Sequence, residues 1–360
     1  MIKLEAPPAD EECELTLLGP GYGEAIAIHV GDGKWTLVDS YLDADGTPAA
    51  LRYLDNIGVH PADAVSLVIA THWHDDHIRG MASMVEQCPA ARFCCSGALR
   101  SQELLAMMGR LEKKHLSAAG SGVRELHRVF SRLRETKRVP AYAFANRLMF
   151  RGEYCDIWSL SPGHRVFQAS LQSIADLVPH ESGSKTRLPS LSPNEIAVVL
   201  WIEFGNFSLL LGADMERRGW TAILSDTERP AGRASVYKVP HHGSKNADEP
   251  AVWKRMLEAE SVAVLTPWRR GSHVLPTMPD ARRISKATPK AWITDKGLSR
   301  HANIRHDNRA VARTLRESGA RIQRLEASGG MIRLRRVIGS GAQWTVETFG
   351  NACNLVDYAA

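Results

Sequence analysis

Three histidines and two aspartates fall within six consecutive residues, His72-Trp73-His74-Asp75-Asp76-His77. Imidazole and carboxylate groups together are the side chains that hold zinc, manganese or iron. His72 and His74 lie two apart, so in an extended segment both side chains leave one face and can share a cation. Asp76 and His77 follow on a turn, where they can reach a second cation. Two cations held close together can share a hydroxide that is nucleophilic at neutral pH, and can clamp the attacking and leaving oxygens of a displacement. Such chemistry needs no separate serine or cysteine nucleophile. Histidine and aspartate are also ordinary turn residues, but this density straight after an apolar run exceeds what a turn requires.

That run is Val65-Ser66-Leu67-Val68-Ile69-Ala70, which reads as a strand buried on both faces. Ligands at the carboxyl end of a buried strand are where open α/β sheets place their sites. Upstream, Leu15 to Leu18, Ala25 to Val30 and Trp35 to Val38 read as a β-meander with glycine-rich turns. Thr47 to Ile57 and Gly80 to Glu86 carry helical spacing. Residues 100–150 read as a mostly helical, basic insertion, and residues 165–192 as a long loop with a short helix around Ser170 to Leu177. Cys155 to Leu160, Ile196 to Phe204, Phe207 to Leu211, Val236 to Val239 and Val262 to Thr266 read as further strands. Gly205-Asn206 suggests a type I′ hairpin between two of them. A helix over Asp307 to Arg316 and strands at Arg321 to Leu325 and Met331 to Val337 close the chain. Strands, helices, strands, helices in that order predict an α/β protein, an αββα four-layer sandwich over 1–360 as one domain.

Thr71-His72-Trp73-His74-Asp75-Asp76-His77 resembles the T-H-x-H-x-D-H signature of the metallo-β-lactamase superfamily. Val38-Asp39-Ser40, Gly212-Ala213-Asp214 and Pro240-His241-His242-Gly243-Ser244 resemble its acidic, bridging-aspartate and last-histidine motifs. The resemblance implies a metal set of His72, His74, Asp76, His77, Asp214 and His242, with Asp39 orienting ligands. His241 then stands beside the ligands, where it can orient one or touch the substrate, and counts with Asp76 as catalytic. In Ser161-Pro162-Gly163-His164, His164 is either the third histidine that many members supply or a loop histidine. The Val-Pro-His-His-Gly-Ser phrase is closest in style to the hydrolase domain of bacterial DNA-uptake channel proteins, a subgroup that commonly lacks that third histidine. Residues 266–276 depart from the asparagine and Gly-His-Pro pattern of that subgroup. The cofactors implied are two divalent metal ions, zinc first, with manganese or iron also suited.

The remaining composition bounds the function more than it selects one. Hydrophobic residues at 44% and charged residues at 24% of 360 are those of an ordinary globular chain. The amino terminus lacks a basic start followed by an apolar run, and no long uninterrupted apolar stretch follows, so the expected location is cytoplasmic, away from membranes. Six scattered cysteines read as reduced thiols. A net charge of +5 suits a phosphate-bearing substrate, nucleic acid included, without diagnosing one. From Arg110 to Arg138 nine basic residues outnumber three glutamates, and that stretch is either a phosphate-facing patch or a solvated helix face. Arg269 and Arg270, just past a strand end, are the better candidates for a substrate phosphate, unless they cap a helix or pair with Asp280. Phosphodiester hydrolysis is the first expectation. A metal-binding regulatory or interaction module in a larger cytoplasmic system, and an esterase or lactonase, stay open, as does the oligomeric state.

Overall fold

The computed structural model describes residues 6–99, 121–175, 193–296 and 330–359. Its strands follow the alternation of the sequence: β1 (Glu12–Leu18), β2 (Ala25–His29), β3 (Trp35–Val38), β4 (Val65–Ala70), β5 (Arg92–Ser96) and β6 (Ala141–Ala143), then β7 (Arg147–Arg151), β8 (Asp156–Ser159), β9 (Leu200–Phe204), β10 (Phe207–Leu211), β11 (Ala234–Lys238) and β12 (Leu257–Leu265). The chain continues through β13 (Trp268–Arg270), β14 (His273–Leu275), β15 (Ala291–Ile293), β16 (Met331–Val337), β17 (Thr345–Phe349) and β18 (Cys353–Asn354). Among the described residues they form two eight-stranded sheets, ordered β17-β16-β1-β2-β3-β4-β5-β6 and β18-β15-β12-β11-β10-β9-β8-β7, and a small β13-β14 hairpin. Each large sheet holds a parallel block, β3 to β6 in the first and β10, β11, β12 and β15 in the second.

Successive side chains of a strand face opposite ways, and here both faces are apolar. Leu67 and Ile69 of β4 meet Leu209 and Leu211 of β10 in the core between the sheets. Val68 and Ala70 point outward, to the helices Ala49–Asn56, Met81–Gln87 and Ser121–Glu135. Leu210 points outward from the second sheet to Trp220 of the helix Arg217–Ser225 and Ile284 of the helix Met278–Ala287. Three cores separate four layers, so the αββα sandwich is the observed architecture. Each large apolar side chain so buried contributes about 2 kcal/mol.

Several local expectations change. The helical reading of 100–150 holds over Ser121–Glu135, but 141–143 and 147–151 are strands β6 and β7, one at an edge of each sheet. The short helix expected around Ser170 to Leu177 begins earlier, as His164–Ala175, so residues 165–169 are helix where loop was expected. Of Gly205-Asn206 only Gly205 is left-handed (φ 45°), so the turn is not type I′, which needs positive φ at both positions. The expected helix over 307–316 and strand over 321–325, with Arg110, Lys113 and Lys114, lie outside the described residues. All six cysteines are free, five of them buried, and no helix among the described residues is long and apolar enough to cross a membrane.

Candidate metal centre

Parallel neighbours end on the same side, so the loops after their carboxyl ends converge. Asp39 follows β3 and Thr71 to His77 follow β4, while Asp214 follows β10, and His241 and His242 follow β11. Both sheets open on one cleft, and six candidate ligands meet there. His72, His74 and Asp214 form one group and Asp76, His77 and His242 a second, each with ligand atoms within 4.8 Å of one another. His72, Asp76, His77, Asp214 and His242 are buried. Asp214 adjoins both groups: one carboxylate oxygen is 3.8 Å from His72 Nε2 and 3.9 Å from His242 Nε2, and the other is 3.4 Å from His77 Nε2.

Following the protons shows what these atoms lack. Asp39 accepts from the Thr71 amide on one oxygen (2.8 Å) and from the Thr71 hydroxyl on the other (2.7 Å), and that second oxygen also lies 2.8 Å from His77 Nδ1. The Thr71 hydroxyl has thus given its proton to Asp39, so it can only accept from His72 Nδ1, 2.9 Å away. On the far side, the Thr266 hydroxyl donates to Glu24 and lies 3.0 Å from His242 Nδ1, with the Thr266 carbonyl at 3.2 Å. Each of these three rings therefore directs an Nδ1–H outward and turns its Nε2 inward, where the neutral ring offers a lone pair to a cation. His242 Nε2 faces an Asp76 oxygen at 3.2 Å, while His77 Nε2 and an Asp214 oxygen are buried with no hydrogen-bond partner. His72 Nε2 also lies 3.1 Å from His74 Nδ1. Carboxylates gathered around inward-turned imidazole nitrogens are unfavourable unless positive charge is supplied. The donor set thus fits divalent cations.

The electrostatics state the same demand. Burial alone would lower His77, but Asp214, Asp76 and Asp39 carry it well above the ordinary imidazole range. His72, buried and beside His77, is held well below that range. Burial would raise Asp214 and Asp76, yet His77 and His242 hold both below the usual carboxylate range.

The other expected residues are distributed around this centre. A cavity of about 370 Å³ opens on it, lined by His74, Asp76, Asp214, His241 and His242, by Tyr22, Trp73 and Trp268, and by Arg270. His241 faces this cavity and its Nδ1 stands 3.8 Å from Glu216. Arg269 is turned away: its guanidinium pairs with Asp295 at 3.4 Å and its amide donates to the Gly21 carbonyl at 2.7 Å, which ties the β13-β14 hairpin to the β1-β2 loop. Asp280 pairs with neither arginine; it caps the helix Met278–Ala287 with Thr277 and bonds Arg283. His164 belongs to none of the groups and lines a separate cavity with Glu195 and Arg218. In the basic stretch, Arg128 and Arg132 pair with Glu125, Glu86 and Glu135, and Arg138 bonds the carbonyls of Val85, Cys88 and Ala91. These three serve the fold.

The sequence reading passed over Glu24, Lys238 and Thr266, all fully buried behind the ligands. Lys238 carried a usable signal. A lysine inside the apolar run Val236 to Val239 must be either exposed or paired, and here it pairs with Glu24 at 2.5 Å. Burial would raise the Glu24 carboxyl, but Lys238 above all outweighs this and keeps it ionised.

Residues 18–164 match the family model described as metallo-beta-lactamase superfamily. No curated protein matches. Among solved structures, the metallo-beta-lactamase fold protein YhfI from Bacillus subtilis shares 13% identity over 79% of this chain and 95% of its own, with a TM-score of 0.41. The class B3 di-zinc metallo-beta-lactamase LRA-12 from an Alaskan soil metagenome shares 11% over 58% and 62%, at 0.33. The CmlA beta-hydroxylase E377D mutant shares 13% over 80% and 46%, at 0.36. These likenesses are too distant to assign a substrate. The family match falls on the stretch that carries Asp39 and the His72 to His77 cluster, so residues 18–164 are similar to the metallo-β-lactamase superfamily, and the histidine and aspartate groups gathered at the cleft fit a metal site.

Proposed function

We propose that the protein is a binuclear metal-dependent phosphodiesterase acting on a nucleotide or nucleic-acid end. His72, His74 and Asp214 would hold one cation and Asp76, His77 and His242 the other, zinc being the first candidate and manganese or iron the alternatives. Bound there, a divalent pair supplies Lewis acidity toward phosphoryl oxygens and acidifies water. The protein's own residues do the rest. Arg270 supplies a guanidinium on the wall of the same cavity, where it can pair with a non-bridging phosphate oxygen. His241, facing that cavity, is placed to hydrogen-bond the substrate on the side of Asp214. Tyr22 and Trp268, with ring centroids 6.3 Å apart, and Trp73 offer apolar faces for a flat ring attached to the phosphate.

The observation that carries this reading is the presence of Arg270 and three aromatic side chains on a cavity that reaches both ligand groups. The cavity's size, at the low end for ligand sites, suits one nucleotide unit rather than a duplex. The test is turnover on a panel: bis(p-nitrophenyl) phosphate, single- and double-stranded DNA, RNA and a β-lactam. Turnover of the phosphodiesters, with KM rising about tenfold in Arg270→Ala (near 1.4 kcal/mol of binding) and in Trp268→Ala, supports the proposal. Cleavage of the β-lactam alone overturns it.

A further inference from the structure

Glu24 sits on the loop between β1 and β2 of the first sheet, and Lys238 is the last residue of β11 in the second. Their 2.5 Å ion pair is fully buried and joins the two sheets behind the ligands. Three connections lead from it to the centre. The Lys238 ammonium donates to the Ala213 carbonyl at 3.0 Å, next to Asp214. The free oxygen of Glu24 accepts from the Thr266 hydroxyl, whose oxygen faces His242 Nδ1. The Glu24 amide donates to the Asp76 carbonyl at 2.8 Å. Gly19 makes room for this relay, since a Cβ there would fall 2.3 Å from the Thr266 methyl.

We propose that the Lys238–Glu24 pair is a charge-neutral strut that positions Asp214 and His242, the two ligands of the second sheet, for cation binding. This rests on the metal-site reading above. Charge explains why the strut has two members. A lone buried lysine bracing Ala213 would place an ammonium beside sites meant for cations, and a lone buried glutamate orienting Thr266 would carry an uncompensated charge. Paired, they fix both loops and leave the local charge unchanged. These are positioning residues: neither group faces the cavity.

The test uses the full chain stripped of metal with a chelator, titrated with zinc against a chromophoric competitor, with circular dichroism to establish folding. Glu24→Gln, which strands the lysine, is expected to weaken zinc binding by about 10- to 100-fold, and Thr266→Val by about 10-fold. Thr266→Ser, which keeps the hydroxyl, is expected to recover most of the affinity. If Glu24→Gln does not fold, the double variant Lys238→Met/Glu24→Gln removes both charges and carries the same expectation. A strut that serves only the fold would shift unfolding while every folded variant bound zinc within about twofold of wild type, and that outcome overturns the proposal. Wild-type protein that takes up neither zinc, manganese nor iron overturns the metal-site reading as well, so the two failures are distinct.

Discussion

Past β4 the first sheet sets four candidate ligands, His72, His74, Asp76 and His77, on one stretch of chain, whereas the second sheet sets Asp214 after β10 and His242 after β11. The supports differ accordingly. One carboxylate, Asp39, takes the Thr71 amide, the Thr71 hydroxyl and His77 Nδ1, and through Thr71 it also fixes His72. Left-handed backbone, which disfavours residues with a Cβ, occurs once in the first set, at Asp39 (φ 58°), and three times in the second, at Ala213 (φ 45°), His241 (48°) and His242 (52°). There the support is Lys238, Glu24 and Thr266, drawn from three separate elements. The first set can form once β3 and β4 have paired. The second is complete only when both sheets have packed together.

The comparison breaks most visibly at Asp214, which touches both groups. Asp214→Ala should remove both cations, about two per chain by elemental analysis, and lower phosphodiesterase kcat by on the order of 10³-fold, about 4 kcal/mol of barrier. His74→Ala disturbs one group and should leave about one cation per chain. If His74→Ala strips both, the two groups are not separate sites.

A smaller effect separates the supports themselves. Asp39→Ala leaves a buried amide and an imidazole N–H without acceptors and should cost about 2–4 kcal/mol in urea unfolding. Thr266→Val leaves His242 the Thr266 carbonyl and should cost about 1 kcal/mol. Equal losses would mean that the first sheet is no more dependent on one side chain than the second.

The same difference decides what could be read from the chain. His72 to His77 are contiguous, so their chemistry is written within one turn of backbone, and the buried run ahead of them announces the strand that delivers them. Asp214 and His242 are single residues whose neighbours carry no metal signature, and only likeness to a family's motifs singled them out. Glu24 and Lys238 lie 214 positions apart in the sequence, and nothing local to either names its partner, although a lysine in an apolar strand demands one. Arg269 and Arg270 are adjacent in sequence, yet the alternation of β13 sends one toward Asp295 and the other to the cavity, a split that appears only once the hairpin is known. The strands at 141–143 and 147–151 were hidden because short edge strands have little apolar periodicity of their own.

The finest distinction lies in two alanines at corresponding places, Ala70 at the end of β4 and Ala213 just past β10, both buried. Replacing Ala70 by glycine removes a buried methyl and frees the unfolded chain, so it should cost about 1–2 kcal/mol. The same losses apply at Ala213, but there glycine also relieves a left-handed conformation that costs an L-residue roughly 1–2 kcal/mol. Ala213→Gly should therefore unfold in urea within about 0.5 kcal/mol of wild type, while Ala70→Gly does not. Were both to cost the same, Ala213 would hold no strain, and the Lys238 bond to its carbonyl would have nothing to offset. If they differ as expected, the backbone before Asp214 is held in a costly shape by contacts from the other sheet, as the placement of a ligand by packing rather than by local sequence requires.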